Sequence, residues 1–219
     1  MRTVQPAGTR GSLKWIQRAV NERWDSLEAP LLEALGTDAI EWTSPLIGDA
    51  YAEYRDDSFL ARIGQAGLAD DLKAFWPARG PQWDALGVTS TGDVLLVEAK
   101  AHIAEMCSPG TAAGPASRAR IEQALDEVAV RLGARPDRAA WSMHFYQLAN
   151  RIAHLDFLRQ RGVRAWLVLV NFVGDSDMRG PMTEEAWDAA YAVAFHVMGL
   201  RLRHPLSRYI LHVYPAVPA

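Results

Sequence analysis

The stretch Pro81–His102, PQWDALGVTSTGDVLLVEAKAH, decides how the fold is read. Two short apolar segments, Trp83–Val88 and Asp93–Ala101, flank Thr91-Gly92, the pattern of a β-hairpin. Side chains alternate along a strand, so Val94, Leu96, Glu98 and Lys100 share one face, and Leu95, Val97 and Ala99 the other. Both faces are apolar until the charges begin, which predicts a central strand with Glu98 and Lys100 side by side at its far end. Burying unpaired charges costs several kcal/mol, so this pair must be matched or must hold a ligand. The hairpin brings Asp84 back toward the same end. Two carboxylates suit a hard divalent cation such as Mg²⁺, with Mn²⁺ as a substitute. A lysine beside them can hold a water or a phosphate oxygen.

The rest of the chain reads outward from this hairpin. Residues 1–11 are expected to form a mobile tail, and residues 12–219 a single domain. Ser12 is expected to cap a helix, LKWIQRAVNERWDSL, with Trp15, Ile16, Ala19, Val20 and Trp24 at helical spacing. Pro30 interrupts or restarts it. A second helical region is expected over Pro45–Phe75, broken near Gly64–Gly67, before a turn at Pro77, Gly80 and Pro81. Downstream come a loop (CSPGTAAGP), a helix closed by Gly133, and a long helix from Ala139 closed by Gly162. Arg164–Val173 is almost continuously apolar, the pattern of a strand buried on both faces. Thr183 is expected to cap the next helix, and RYILHVYPAV is a last strand. Helices, hairpin, helices, strand, helix, strand describe an α/β sandwich around a mixed sheet.

Composition narrows the function. The 219 residues are 49% hydrophobic and 22% charged, which suits one domain. No apolar run reaches the roughly 18 residues of a membrane span, and the start has no signal-peptide core, so a cytoplasmic protein with no membrane partner is expected. A lone cysteine, Cys107, excludes an internal disulfide and argues against a cysteine-held metal. The formal net charge of −3 requires any contact with phosphate to be local. The cations are 20 Arg and only 3 Lys, at Lys14, Lys73 and Lys100. Either genome composition explains this, or position 100 needs a compact ammonium that arginine cannot supply.

Trp83-Asp84, thirteen intervening residues and Glu98-Ala99-Lys100 resemble the signature of the PD-(D/E)XK nuclease superfamily, with Trp83 where that pattern usually has proline. The resemblance runs from the second helical region to the strand at Arg164–Val173. It implies a three-layer restriction-endonuclease-like core, a mixed sheet flanked by helices, here with an extra N-terminal helix. Asp84, Glu98 and the Ala99 carbonyl would hold Mg²⁺, and Lys100 would position or deprotonate the attacking water. The family's first helix often adds an acid, for which Glu53 and Asp57, four apart, are candidates. Its later helix often carries a Gln or Tyr; here Gln147, Asn150, Arg151 and His154 form one stripe, opposite Phe145, Leu148, Ile152, Leu155 and Leu158. The family's first strand is either IEWTSPL or AFWPARG. The substrate implied is nucleic acid, DNA ahead of RNA, and the state is left open between monomer and homodimer.

Other readings stand beside this one. Glu98 and Lys100 could be a structural ion pair, and the fold a non-catalytic binding or assembly module. The carboxylates could instead do acid–base work in another hydrolase. His154 reads as a satisfied helix residue, and His102 lies beyond the strand end. Asp175 and Asp177 read as turn residues. Arg201, Arg203, His204 and Arg208 are either a phosphate contact or a solvated patch.

Overall fold

A computed structural model describes residues 1–134 and 140–218. Ala139, where the long helix was expected to start, and Ala219 lie outside the described residues. The element order is β1 (Arg2–Thr3), α1 (Gly11–Asn21), α2 (Asp25–Leu35), β2 (Ile40–Ser44), β3 (Glu53–Tyr54), α3 (Asp57–Arg62) and α4 (Ala69–Phe75). The hairpin follows as β4 (Ala85–Thr89) and β5 (Val94–Lys100). Then come α5 (Pro115–Arg131), α6 (Tyr146–Gln160), β6 (Ala165–Asn171), α7 (Glu184–Val197) and β7 (Ile210–Val213).

The fold is α/β. Five strands form a mixed sheet in the order β2-β4-β5-β6-β7, antiparallel on the β2 side and parallel from β5 to β7. β5 is the middle strand and is buried at all seven positions. Its alternation feeds two cores. Leu95, Val97 and Ala99 join Val168 and Val170 beneath α1 and α2. Val94 and Leu96 join Leu167 and Leu169 beneath α5, α6 and α7. Each such aliphatic side chain contributes roughly 1.5–3 kcal/mol when fully buried, which holds the register of β5 and therefore the direction of Glu98 and Lys100. Of the two segments considered for the first strand, Ile40–Ser44 is the one in the sheet, pairing with β4.

Four local expectations are corrected. Residues 1–11 are not a free tail: β1 pairs with β3, and the Met1 amino group donates to the Arg55 carbonyl at 2.6 Å and to Ser58 Oγ at 2.7 Å. Ser12 does not cap α1, which starts at Gly11; its hydroxyl donates to Glu105 at 2.8 Å. Pro45–Phe75 is not one helical region with a single break. Ala50, Tyr51 and Asp56 all have positive φ, so no helix runs through them, and the β1 pairing draws Glu53–Tyr54 into a strand. The long helix starts at Tyr146, after a π-helical turn at Ala140–His144. Gly92, at φ +83, makes the hairpin turn as expected.

Candidate active site

The site forms where β4 leaves β5. Ala85 pairs with Val97, the Asp84 N–H still donates to the Val97 carbonyl at 3.2 Å, and there the ladder ends. The Trp83 N–H turns to the Tyr54 carbonyl at 3.2 Å, so the chain before β4 is tied to β3 instead. The Ala99 N–H would then lack an acceptor, and a buried orphan amide is costly. Asp84 Oδ2 takes it at 2.7 Å. One carboxylate thus replaces a ladder carbonyl, and Asp84 stays at the end of the sheet beside Glu98. The Lys100 carbonyl accepts the Phe172 N–H at 2.8 Å, so strand alternation turns the Ala99 carbonyl toward the side where Asp84 sits.

Glu98 and Lys100 are both buried and form an ion pair, Lys100 Nζ donating to Glu98 Oε1. Lys100 Nζ also donates to Gln147 Oε1 at 3.1 Å. The second Glu98 oxygen accepts from Arg151 Nε at 2.5 Å. Arg151 is itself buried; it donates to the Gln82 carbonyl at 2.6 Å and to Asn150 Oδ1 at 3.0 Å, with its guanidinium 4.8 Å from the Trp83 ring centre. Gln147 and Arg151 are one helical turn apart on α6, so a single face of that helix reaches both charges.

Glu53 arrives by a longer route. It sits on β3, not on a helix, and so does not share a helical face with Asp57. Asp57 is exposed and pairs with the Met1 amino group at 3.4 Å. Glu53 is buried, and its Oε2 accepts from Gln82 Nε2 and, at 2.8 Å, from Gln5 Nε2. Glu53, Asp84, Gln147 and Arg151 line one open cleft of about 330 Å³. Glu98 and Lys100 lie behind it.

Burial works against charge on Glu98, but Arg151 and Lys100 outweigh it and hold the carboxyl below its ordinary value. Burial works against Lys100 as well, yet Glu98 and then Asp84 hold its ammonium above the usual range. Asp84 makes no ion pair of its own: burial first, then repulsion from Glu98, push it up to about 8 against the attraction of Lys100. Glu53 is raised by burial, against the hydrogen bonds from Gln82 and Gln5. The end of the sheet therefore holds more carboxylate than its two cations neutralise. Asp84, Glu98 and the Ala99 carbonyl offer only oxygen atoms, the donor type that a hard divalent cation takes, and both Glu98 oxygens already accept from Lys100 and Arg151. Among the described residues, however, no group of three or more His, Cys, Asp or Glu side chains gathers as a metal cluster.

The other candidates lie elsewhere. His102 pairs with Glu105 at 3.3 Å. Asp175 is buried in a turn, accepting from Trp15 Nε1 at 2.6 Å, and Asp177 is exposed. Arg208 stacks over Tyr209, beside Trp166, at the opposite end of the sheet from Lys100. His154 is buried against Trp76 and Trp83. Nothing in the sequence alone pairs Arg151 with Glu98, or Gln5 and Gln82 with Glu53. The available signal was Arg151 four residues after Gln147. For Gln5 and Gln82 there was none.

No protein-family model, curated protein or solved structure matches this chain. Among the described residues no helix is long and apolar enough to cross a membrane.

Proposed function

We propose that the chain is a metal-dependent phosphodiesterase of the PD-(D/E)XK type that hydrolyses nucleic acid, DNA ahead of RNA. The observation that carries this reading is the break of β4 from β5, which sets Asp84 in the wall of an open cleft with the Glu98–Lys100 pair behind it. Asp84, Glu98 and the Ala99 carbonyl would hold Mg²⁺ or Mn²⁺. When bound, such a cation supplies a Lewis acid and an activated water. Lys100, kept charged by Glu98, donates to a water or phosphate oxygen and stabilises the charge that develops on the phosphate. Its raised pKa makes it a poor base, so its role is positioning and charge stabilisation rather than proton removal. Gln147 fixes the ammonium, Arg151 fixes the Glu98 carboxylate, and Glu53 supplies a further acid on the cleft wall.

A second reading is a non-catalytic module with the same fold. It is favoured by Glu98, whose two oxygens are both engaged by Arg151 and Lys100, as in a structural ion-pair network. Calorimetry with Mn²⁺, together with cleavage assays on single- and double-stranded DNA and RNA, separates the two. The nuclease reading expects Asp84→Ala and Glu98→Ala to lose both Mn²⁺ binding and cleavage. Lys100→Ala should keep binding and lose cleavage, because a charged lysine has no lone pair to offer a metal. Full cleavage by Lys100→Ala refutes the role given to that residue. A parent protein that cleaves nothing with either metal leaves the second reading standing.

A further inference from the structure

A second cavity, of about 450 Å³, adjoins the cleft and shares Gly80 with it. We propose that this cavity receives an amino-bearing nucleobase, adenine, cytosine or guanine, next to the phosphate bound in the cleft. The proposal rests on the nuclease reading for its choice of a base as occupant.

Leu72, Trp76 and Pro77 give the cavity apolar walls. Its lining carries both kinds of polar group: exposed Lys73 and Arg120 are donors, engaged by Asp70 and by the Lys73 and Ala74 carbonyls, while the groups beside Gly80 are acceptors. His154 is 1% exposed, and its Nδ1 lies 2.8 Å from the Asn150 carbonyl. A carbonyl only accepts, so Nδ1 carries the proton and Nε2 holds a lone pair. Burial keeps the ring neutral, its pKa falling to about 3. No hydrogen bond reaches Nε2 among the described residues, and the ring lines the cavity. Asp56 is the second acceptor. Its carboxylate is held by the Gly80 N–H at 2.9 Å and the Arg79 N–H at 3.2 Å, with lone pairs to spare.

The two acceptors meet at one place. A Cβ on Gly80 would stand 3.4 Å from Asp56 Oδ1, 3.4 Å from Trp76 Cδ1 and 3.5 Å from His154 Nε2. Glycine keeps that point clear. Two acceptors beside an indole edge, in an apolar pocket, call for a flat ring that brings more than one N–H. An exocyclic amine carries two. Uracil and thymine carry one N–H between two carbonyl oxygens, and those oxygens would face the Asp56 carboxylate. A base drawn out of its stack is the form that such a pocket accepts.

The test is titration of the full chain with adenosine, cytidine and uridine, followed by amide chemical shifts, with cleavage of ordinary DNA measured separately. Adenosine and cytidine are expected to bind at least about tenfold more tightly than uridine, the scale of one well-made hydrogen-bond difference. Ala69→Phe, which puts a ring into the cavity from the first residue of α4, should abolish binding at an unchanged melting temperature. His154→Phe should level the preference; if that variant does not fold, Ala69→Phe alone decides. Equal binding of the three nucleosides, no binding of any, or undiminished binding by Ala69→Phe overturns the proposal. Metal-dependent cleavage without nucleoside binding rejects the base pocket and leaves the nuclease reading. Nucleoside binding without cleavage does the reverse.

Discussion

Replacing Asp84 by asparagine is expected to stabilise the metal-free protein at pH 8 relative to the parent, and much less at pH 5. The carboxyl has an ordinary value of 3.8 and is pushed up to about 8 in the folded chain, by burial and then by Glu98. Between those values the folded chain binds a proton that the unfolded chain does not, so stability falls as pH rises from about 4 to about 8. One proton sets a limiting slope of about 1.4 kcal/mol per pH unit. Asp84 is only half-buried, and the Ala99 N–H at 2.7 Å favours its charged form. Taking half the limit leaves about 2 kcal/mol between pH 5 and pH 8. Asp84→Asn keeps an oxygen for the Ala99 N–H and removes the charge beside Glu98. Urea denaturation in chelator at each pH unit from 5 to 8 should show the gap between variant and parent widening by about that amount. Adding Mn²⁺ at pH 8 should then raise the parent's stability and leave the variant's unchanged. Curves that stay parallel across this range would refute the electrostatic account of the site.

Three further outcomes follow from the same geometry. Lys100→Arg should fold normally and lose on the order of 10²–10³ in cleavage rate, because a planar fork cannot replace an ammonium set between Glu98 and Gln147; parental cleavage rates would exclude lysine-specific chemistry. Arg151→Met leaves Glu98 with one cation and should cost about 3–5 kcal/mol in chemical denaturation, part of it recovered by adding Glu98→Gln; a loss below about 1 kcal/mol would mean the pair behaves as a surface one. His154, lowered to about 3 by burial, binds no proton when folded but does when unfolded, so stability contributed by its neutral ring is lost as pH falls from about 6.5 toward 3. Nitrogen-15 NMR should show the neutral ring, protonated on Nδ1, still present at pH 5; imidazolium shifts there contradict its buried setting.

The sequence by itself determined the middle of this protein. Alternation along Val94–Lys100 put Glu98 and Lys100 on one face at the end of a central strand, and Thr91-Gly92 returned Asp84 to that end. These are properties of near neighbours in the chain, where side-chain period and turn chemistry act locally. The stripe on α6 was legible for the same reason, since Gln147 and Arg151 are one turn apart. Only the tertiary structure decided what those groups touch. Glu53 reached the cleft because β1 pairs with β3, a contact of two-residue strands too short to leave a periodic signal. Its partners Gln5 and Gln82 come from segments 48 and 29 residues away. Arg151 closed on Glu98 across 53 residues, and nothing in the spacing of either could select that pair. The break at Asp84 belongs to the same class. Whether its carboxylate points into solvent or caps the Ala99 amide depends on where β3 draws Trp83, and that is fixed by the packing of the whole edge.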